Sequence, residues 1–345
     1  RYLAEKGIKK GDMVAVTGKN SPEWAIAYLA VLFAGGTVVP IDYQLNDEDI
    51  ANLMGFAGVK ILFVDEEKFG SFDDPKLGIK EKISLAPGRP NYILSLSSSA
   101  PMPSDLPAET DLAAILFTSG TTGVPKGVML THRNFVADCY LAQGNMGLLE
   151  TDVFYALLPL HHSYSMLAVF IESFSVGAET VFAKRLAIQQ ILKDLKQGKV
   201  TMFLGIPMLF NKIIKGLMHG IREKGVVVWA IINVLLGFSG LVKKLFKVNI
   251  GKGIFKGILA KVSLDTNRIC ICGGGPLPAS TFSRFNQMGI DFVQGYGLTE
   301  TSPIVTLNPT DHYKENSVGK LLEQVTVEIV NPDERGRGEI AVKGP

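Results

Sequence analysis

Between Asp12 and Glu66 three short apolar runs, "DMVAVTG", "GTVVPID" and "KILFVDE", follow one another with little alternation of polar residues. Runs of that kind suit strands buried on both faces, and helices must then cover the sheet. The segment between the first two runs, "SPEWAIAYLAVLFAGG", has the signals of such a helix. Ser21 stands as N-cap, Pro22 occupies the first helical position and Gly35 marks the stop. A strand, helix, strand unit therefore opens the chain, and an α/β layered fold is expected. With 345 residues, 47% of them hydrophobic, the chain can bury a large core divided over two or so units.

The expected organisation follows from shifts in pattern. Residues 1–110 form a first α/β subdomain, incomplete at its N-terminus because "RYLAEKGIKKGD" reads as the tail of a helix. Within it, the stretch 65–110 is rich in Pro, Ser, Asp and Lys and reads as a surface connection. A second α/β subdomain covers 111–315. From Asn316 the runs "VTVEIV" and "GEIAVKGP", separated by turn-rich "NPDERGRG", start a β-rich part over 316–345. A net charge of +2 calls for no nucleic-acid partner. Cys270 and Cys272 stand one residue apart among only three cysteines, so a disulfide framework or four-ligand zinc site is excluded and a reducing, cytoplasmic compartment is expected. No secretory signal opens the sequence.

The densest chemistry lies in "FTSGTTGVPKG", residues 117–127, behind the apolar run 112–117. Thr118, Ser119, Thr121 and Thr122 bring hydroxyls, Gly120 and Gly123 let backbone amides converge, and Lys126 adds an ammonium. Together they suit an anion nest for polyphosphate, between a strand ahead and a strand and Thr131-capped helix behind. An ordinary Gly/Ser/Thr turn shares the composition, though not the order of eleven residues. A Walker A loop fails on spacing, since Pro125 stands where Gly is needed and Gly127 follows the lysine.

This loop resembles the phosphate loop of adenylate-forming enzymes: acyl- and aryl-CoA synthetases, peptide-synthetase adenylation domains and beetle luciferases. Four more stretches stand in the family's order: "LPLHHSYSM" (158–166), "CGGGPLP" (272–278), "QGYGLTETSP" (294–303) and "GEIAVKGP" (338–345). The form of "QGYGLTETSP" looks most like long-chain fatty acyl-CoA synthetases. The resemblance implies a layered αβαβα large domain with two helix-flanked sheets and a β-rich C-terminal part. It also implies roles for single residues. Tyr296, between Gly295 and Gly297, would stack on adenine, and Gly273, Gly274 and Gly275 would pass the adenine and acyl pocket. Thr299 would contact the α-phosphate, Glu300 with Thr118 would hold Mg2+, and Lys126 would meet the β- and γ-phosphates. His162 would sit between acyl carboxylate and phosphate, with His161 as pocket wall.

Taken on their own, these residues leave alternatives. Tyr296 in a turn is also what a core aromatic looks like, and a Thr-Glu pair also opens a helix. Two adjacent His are expected to diverge, and no Cys or second acidic cluster stands at ligand spacing to make them a metal site. The reaction the resemblance implies is ATP-dependent conversion of a small-molecule carboxylic acid, a medium- or long-chain fatty acid, to an acyl adenylate. A thioester with CoA follows. The alternatives are a nucleotide- or acyl-binding module without turnover, and transfer to an acyl carrier protein. The family's ribose-binding Asp, hinge and small lysine-bearing domain would follow Pro345, so the sequence shown is expected to bind nucleotide better than it turns over.

One feature is independent of the family. Residues 211–262 carry ten Lys or Arg against a single acid, Glu223, a net +9 in a chain that totals +2, which leaves −7 for the rest. Inside that span, Val226 to Val242 are nearly all apolar. Leu241, Val242, Leu245 and Phe246 form one helical face with Lys243, Lys244 and Lys247 off it; Ile254, Phe255, Ile258 and Leu259 repeat the pattern beside Lys252, Lys256 and Lys261. Four readings stand: a surface that meets the inner membrane peripherally, a spanning helix, an internal helical hairpin whose lysines face water, and a dock for an acidic acyl carrier protein.

Overall fold

The structure, a computed structural model, describes residues 1–104, 106–118 and 125–345. Asp105 and residues 119–124 lie outside that description. Two compact units result, residues 1–137 with 159–166, and residues 138–158 with 167–345.

In the first unit the opening runs form β1 (Met13–Thr17), β2 (Thr37–Ile41) and β3 (Val59–Val64), all parallel. Helix α1 (Pro22–Phe33) joins β1 to β2, and the Ser21 hydroxyl accepts from the Trp24 amide at 3.1 Å, as its N-cap role requires. Helix α2 (Asp47–Ala57) is capped in the same way by Asn46 and stops at Gly58 in the left-handed region. Ile50 and Met54 from α2 pack on Ala15, Val39 and Leu62, which explains why the strands carry apolar residues at consecutive positions.

Two expectations need correction here. The 65–110 stretch is not merely a connection, because β4 (Glu81–Ser84) pairs parallel to β3 at the sheet edge. The boundary expected at residue 110 also moves: β5 (Leu112–Thr118) and β6 (Lys126–Thr131) complete the first sheet, in the order β4-β3-β1-β2-β5-β6. The run in β5 is as apolar as β1 and β2, so nothing local to it could say which sheet it would join.

Helix α3 (His132–Met146) starts in the first unit, its Asn134 amide bonded to the Thr131 hydroxyl at 3.2 Å, and runs into the second. There β7 (Val153–Ala156), β8 (Glu179–Phe182), β9 (Met202–Gly205), β10 (Ile269–Cys272) and β11 (Asp291–Gly297) form a parallel array. Antiparallel β12 (Ile304–Leu307) and β13 (Lys320–Leu321) extend it, and β14 (Thr326–Val330) with β15 (Glu339–Lys343) makes a separate ribbon. The helices are α4 (Ile188–Gln197), α5 (Pro207–Arg222), α6 (Val226–Phe246) and α7 (Ala279–Gln287). Phe203, Phe210, Phe282, Phe285 and Phe292 interlock between sheet and helices, with Phe210 and Phe292 edge to face at 4.8 Å.

The basic segment is helical, and two of its expected faces point elsewhere. Phe255 and Leu259 are core residues rather than an outward stripe, because short helices at 251–254 and 256–261 fold back on the sheet. Lys243 is only 7% exposed; its ammonium donates to Asn286 Oδ1 at 2.7 Å and Asp291 Oδ1 at 2.6 Å. Lys252 likewise donates inward, to the Asn267 carbonyl at 2.9 Å.

Behind β12 the buried side chains of Asp138, Cys139 and Glu172 lie together. Asp138 Oδ1 accepts from the Ile304 amide at 3.1 Å and so ties α3 to the start of β12. Burial raises the Glu172 carboxyl to about 7. The folded state therefore holds a proton that the unfolded chain releases near the ordinary carboxylate value, and stability is lost as pH rises from there through about 7. The loss amounts to ~3 kcal/mol. We expect Glu172→Gln to flatten this dependence: urea midpoints of the variant and parent agree at about pH 5 and differ in favour of the variant at about pH 8. Parallel curves at both values would show that Glu172 is ionised at no cost.

Candidate functional site

The first unit supplies a hairpin. Thr118 ends β5 and Lys126 begins β6, and the two are paired in register across the antiparallel ladder. Lys126 is exposed, and neither it nor Glu300 forms an ion pair with a described residue. Ser119, Gly120, Thr121, Thr122 and Gly123 lie outside the described residues. Gly127 packs closely on β5, where an added Cβ would come within 2.9 Å of Ile115.

The same unit holds the histidine pair. His161 and His162 do not diverge as expected. Their ring centroids are 4.2 Å apart with the planes tilted by 53°, and His162 is the N-cap of the short helix 163–165. His161 Nε2 lies 3.6 Å from Asp42 Oδ2, a carboxylate that nothing in the sequence around position 42 singled out. Burial, reinforced by His162 and opposed by Asp42, holds the His161 pKa down at about 4. Burial lowers His162 as well. Both rings are therefore neutral near pH 7 and can accept or donate one hydrogen bond each without adding charge. Among the described residues no group of three or more His, Cys, Asp or Glu is placed to hold a metal.

The second unit builds a cleft of about 620 Å3 from the ends of its strands. That volume falls in the ordinary range for a small-molecule site. Gly274 and Gly275 form one wall, the segment Gly295, Tyr296 and Gly297 another, and Asn316 to Val318 a third. Gly273 is buried beneath, its amide on the Gly205 carbonyl at 3.4 Å. The sequence brought the first two walls to notice and missed the third. Asn308 holds that third wall, its side-chain amide donating to the carbonyls of Lys314 at 3.0 Å and Ser317 at 2.6 Å.

Tyr296 is half-buried at the end of β11 and lines the cleft. The two glycines beside it serve the fold as well as any ligand. A Cβ at Gly297 would lie 1.7 Å from the Pro303 carbonyl oxygen, and one at Gly295 would lie 3.0 Å from that of Thr306. These contacts are the price of the tight β11–β12 reversal, closed by the Leu298 amide on Pro303 at 3.0 Å. Thr299 and Glu300 occupy the 3-10 turn at the tip of that reversal, where Thr301 Oγ1 accepts from the Leu298 amide at 2.9 Å. Glu300 is exposed. The structure thus brings Gly274 and Gly275 together with 295–297 around one cleft, while Thr299 and Glu300 stand in the turn that follows β11 and are not among its lining residues. Thr118, Lys126, His161 and His162 belong to the other unit.

Comparison with known proteins adds the following. The family described as AMP-binding enzyme matches residues 1–345. A long-chain-fatty-acid–CoA ligase of Bacillus subtilis is 27% identical over 389 residues, covering 100% of this chain and 62% of the relative. A feruloyl-CoA synthase of an Amycolatopsis species is 26% identical, covering 99% and 62%. Among solved structures, ATP-bound MatB from Rhodopseudomonas palustris aligns with a TM-score of 0.76 at 25% identity, over 99% of this chain and 62% of that one. A long-chain-fatty-acid-CoA ligase, FadD1, from Archaeoglobus fulgidus aligns at 0.75 and 22% identity, over 99% and 65%. The chain spans 62% of the length of these curated relatives.

Proposed function

This chain belongs to the AMP-binding enzyme family, and from that premise we propose that the whole protein activates a carboxylic acid with ATP and passes the acyl group to CoA. The relatives named above are acid–CoA ligases with unlike acids, a fatty acid in one and a ferulic acid in another. We propose a medium- or long-chain fatty acid as substrate here. The observation that carries the reading is the cleft of the second unit, where an aromatic face and bare backbone line one cavity. An adenine ring needs a flat apolar face and close backbone approach, and Tyr296 with Gly274 and Gly275 supplies both.

In the proposed reaction the acid's carboxylate oxygen bonds to the α-phosphorus of ATP, and the bond from that phosphorus to the bridging oxygen breaks, which releases pyrophosphate. The thiol of CoA then displaces AMP. An anion must approach a polyanion, so the chain's task is to offset charge and hold geometry rather than to supply a nucleophile. Lys126 places a positive charge at the hairpin, and Thr299 offers a hydroxyl to a phosphate oxygen. His162, neutral at pH 7, can hold a carboxylate oxygen by hydrogen bond without trapping it in an ion pair. Magnesium, when bound, would supply further neutralisation; Glu300 and Thr118 are hard oxygen donors suited to it.

ATP–pyrophosphate exchange by the full-length protein, run across aromatic and aliphatic acids of increasing chain length, tests this. Exchange that rises with aliphatic length is the expected result. Exchange confined to aromatic acids would replace the fatty-acid reading, and nucleotide binding with no exchange for any acid would favour the binding module.

A further inference from the structure

Helix α6 packs one face inward and leaves an apolar face outside. Its inner residues, Trp229, Leu236, Ser239 and Lys243, recur at helical spacing and pack against α5 and α7. On the opposite side Val227, Ile231, Val234, Phe238, Leu241 and Leu245 line up, each more than half exposed and Val234 71% exposed. Val226, Val228 and Phe246 are exposed on its flanks. A helix of 21 residues is about 30 Å long. Burying such a stripe in water-free surroundings is worth far more than leaving it hydrated.

Cations frame the stripe. Lys224 precedes the helix, Lys244 borders the stripe near its end, and Lys256 and Lys261 follow on the short helices, all exposed. Lys261 carries a like charge that lowers the Lys224 pKa. A second copy of the chain would set the exposed Lys224, Lys244, Lys256 and Lys261 against their counterparts, which disfavours self-association. The exposed apolar arc, widened by its flanks, is also broader than the narrow seam of a coiled coil.

We propose that α6 is an interfacial helix that lies in the plane of an anionic lipid bilayer, its outer stripe among the acyl chains and its lysines among the phosphates. By length and composition α6 could cross a bilayer. Crossing would strip Lys243 from Asp291 and Asn286, and Asn233 from the Arg284 guanidinium, which donates to it at 2.8 Å. Lying flat keeps those bonds, so the inner face rules out the spanning arrangement. This placement does not depend on which acid the protein activates.

The test is co-sedimentation of full-length protein with vesicles of phosphatidylcholine alone or mixed with phosphatidylserine, at low and high salt. One variant combines Ile231→Gln, Val234→Gln, Phe238→Gln and Leu241→Gln; a second combines Lys224→Gln, Lys244→Gln, Lys256→Gln and Lys261→Gln and spares Lys243 and Lys252. Circular dichroism confirms folding, which these exposed positions should not disturb. The parent is expected to sediment with anionic vesicles and to be released by salt. At about fivefold per lysine, the second variant should lose at least about a hundredfold of that partitioning, and the first should lose binding to both vesicles. The proposal is overturned if the folded parent stays in the supernatant, if neither variant changes binding, or if membrane-bound protein resists alkaline extraction as a spanning helix would. It is also overturned if the stripe instead supports a dimer or captures an acidic carrier protein without any vesicle binding.

Discussion

Replacing Lys126 by Ala, or Glu300 by Gln, in the full-length protein is expected to lower ATP–pyrophosphate exchange by about 10²–10³-fold, the range seen when one preorganised charge partner of a transition state is removed. Both side chains are exposed and neither is ion-paired to a described residue, so their charge is not spent on the fold. For that reason the urea midpoint of each variant should match the parent. Lys126→Arg keeps the charge and should recover part of the exchange, whereas a merely structural lysine would show no such rescue. Exchange at the parental rate in both variants would refute the phosphate and metal roles proposed for these residues.

The largest expected effect on stability lies at Lys243, whose burial sets it apart from a surface lysine. The ammonium sits between Asn286 and Asp291, with the Tyr313 ring 5.7 Å away. Lys243 is buried and Asp291 half-buried, so removing the ammonium strands a carboxylate that water reaches only in part, at a cost of about 3 kcal/mol, the lower end of the range for buried pairs. Lys243→Ala should therefore unfold at markedly lower urea, while Lys244→Ala, one residue on and paired at 3.8 Å with Glu315 on the surface, should change stability by less than about 1 kcal/mol. The double change Lys243→Met with Asp291→Leu removes both charges and should recover much of the loss. Equal midpoints for Lys243→Ala and Lys244→Ala would mean that the Lys243 contacts contribute nothing net.

The distinction between these neighbouring lysines shows where sequence reasoning stops. Signals that act over a few residues could be read directly: the Ser21 cap, the apolar runs of β1 to β3, and the order of five motifs that placed the chain in its family. Cap bonds and strand patterns are local, so the residues that make them lie side by side in the chain. The helical face through Leu241 and Leu245 was legible for the same reason, although the pattern left its direction open and the structure turns it outward.

What was not legible depends on partners far away in sequence. Lys243 looks like its neighbour until Asp291 comes to face it, and Phe255 and Leu259 look like a lipid-facing stripe until the sheet covers them. Asp42 meets His161 across more than a hundred positions, and β5 pairs with β2 although residues 65–110 intervene. An amphipathic pattern states that a face will be buried without stating in what. Only chain closure supplies the answer, because burial and ion pairing are properties of the neighbours a residue acquires, and those neighbours are set by the packing of whole sheets and helices.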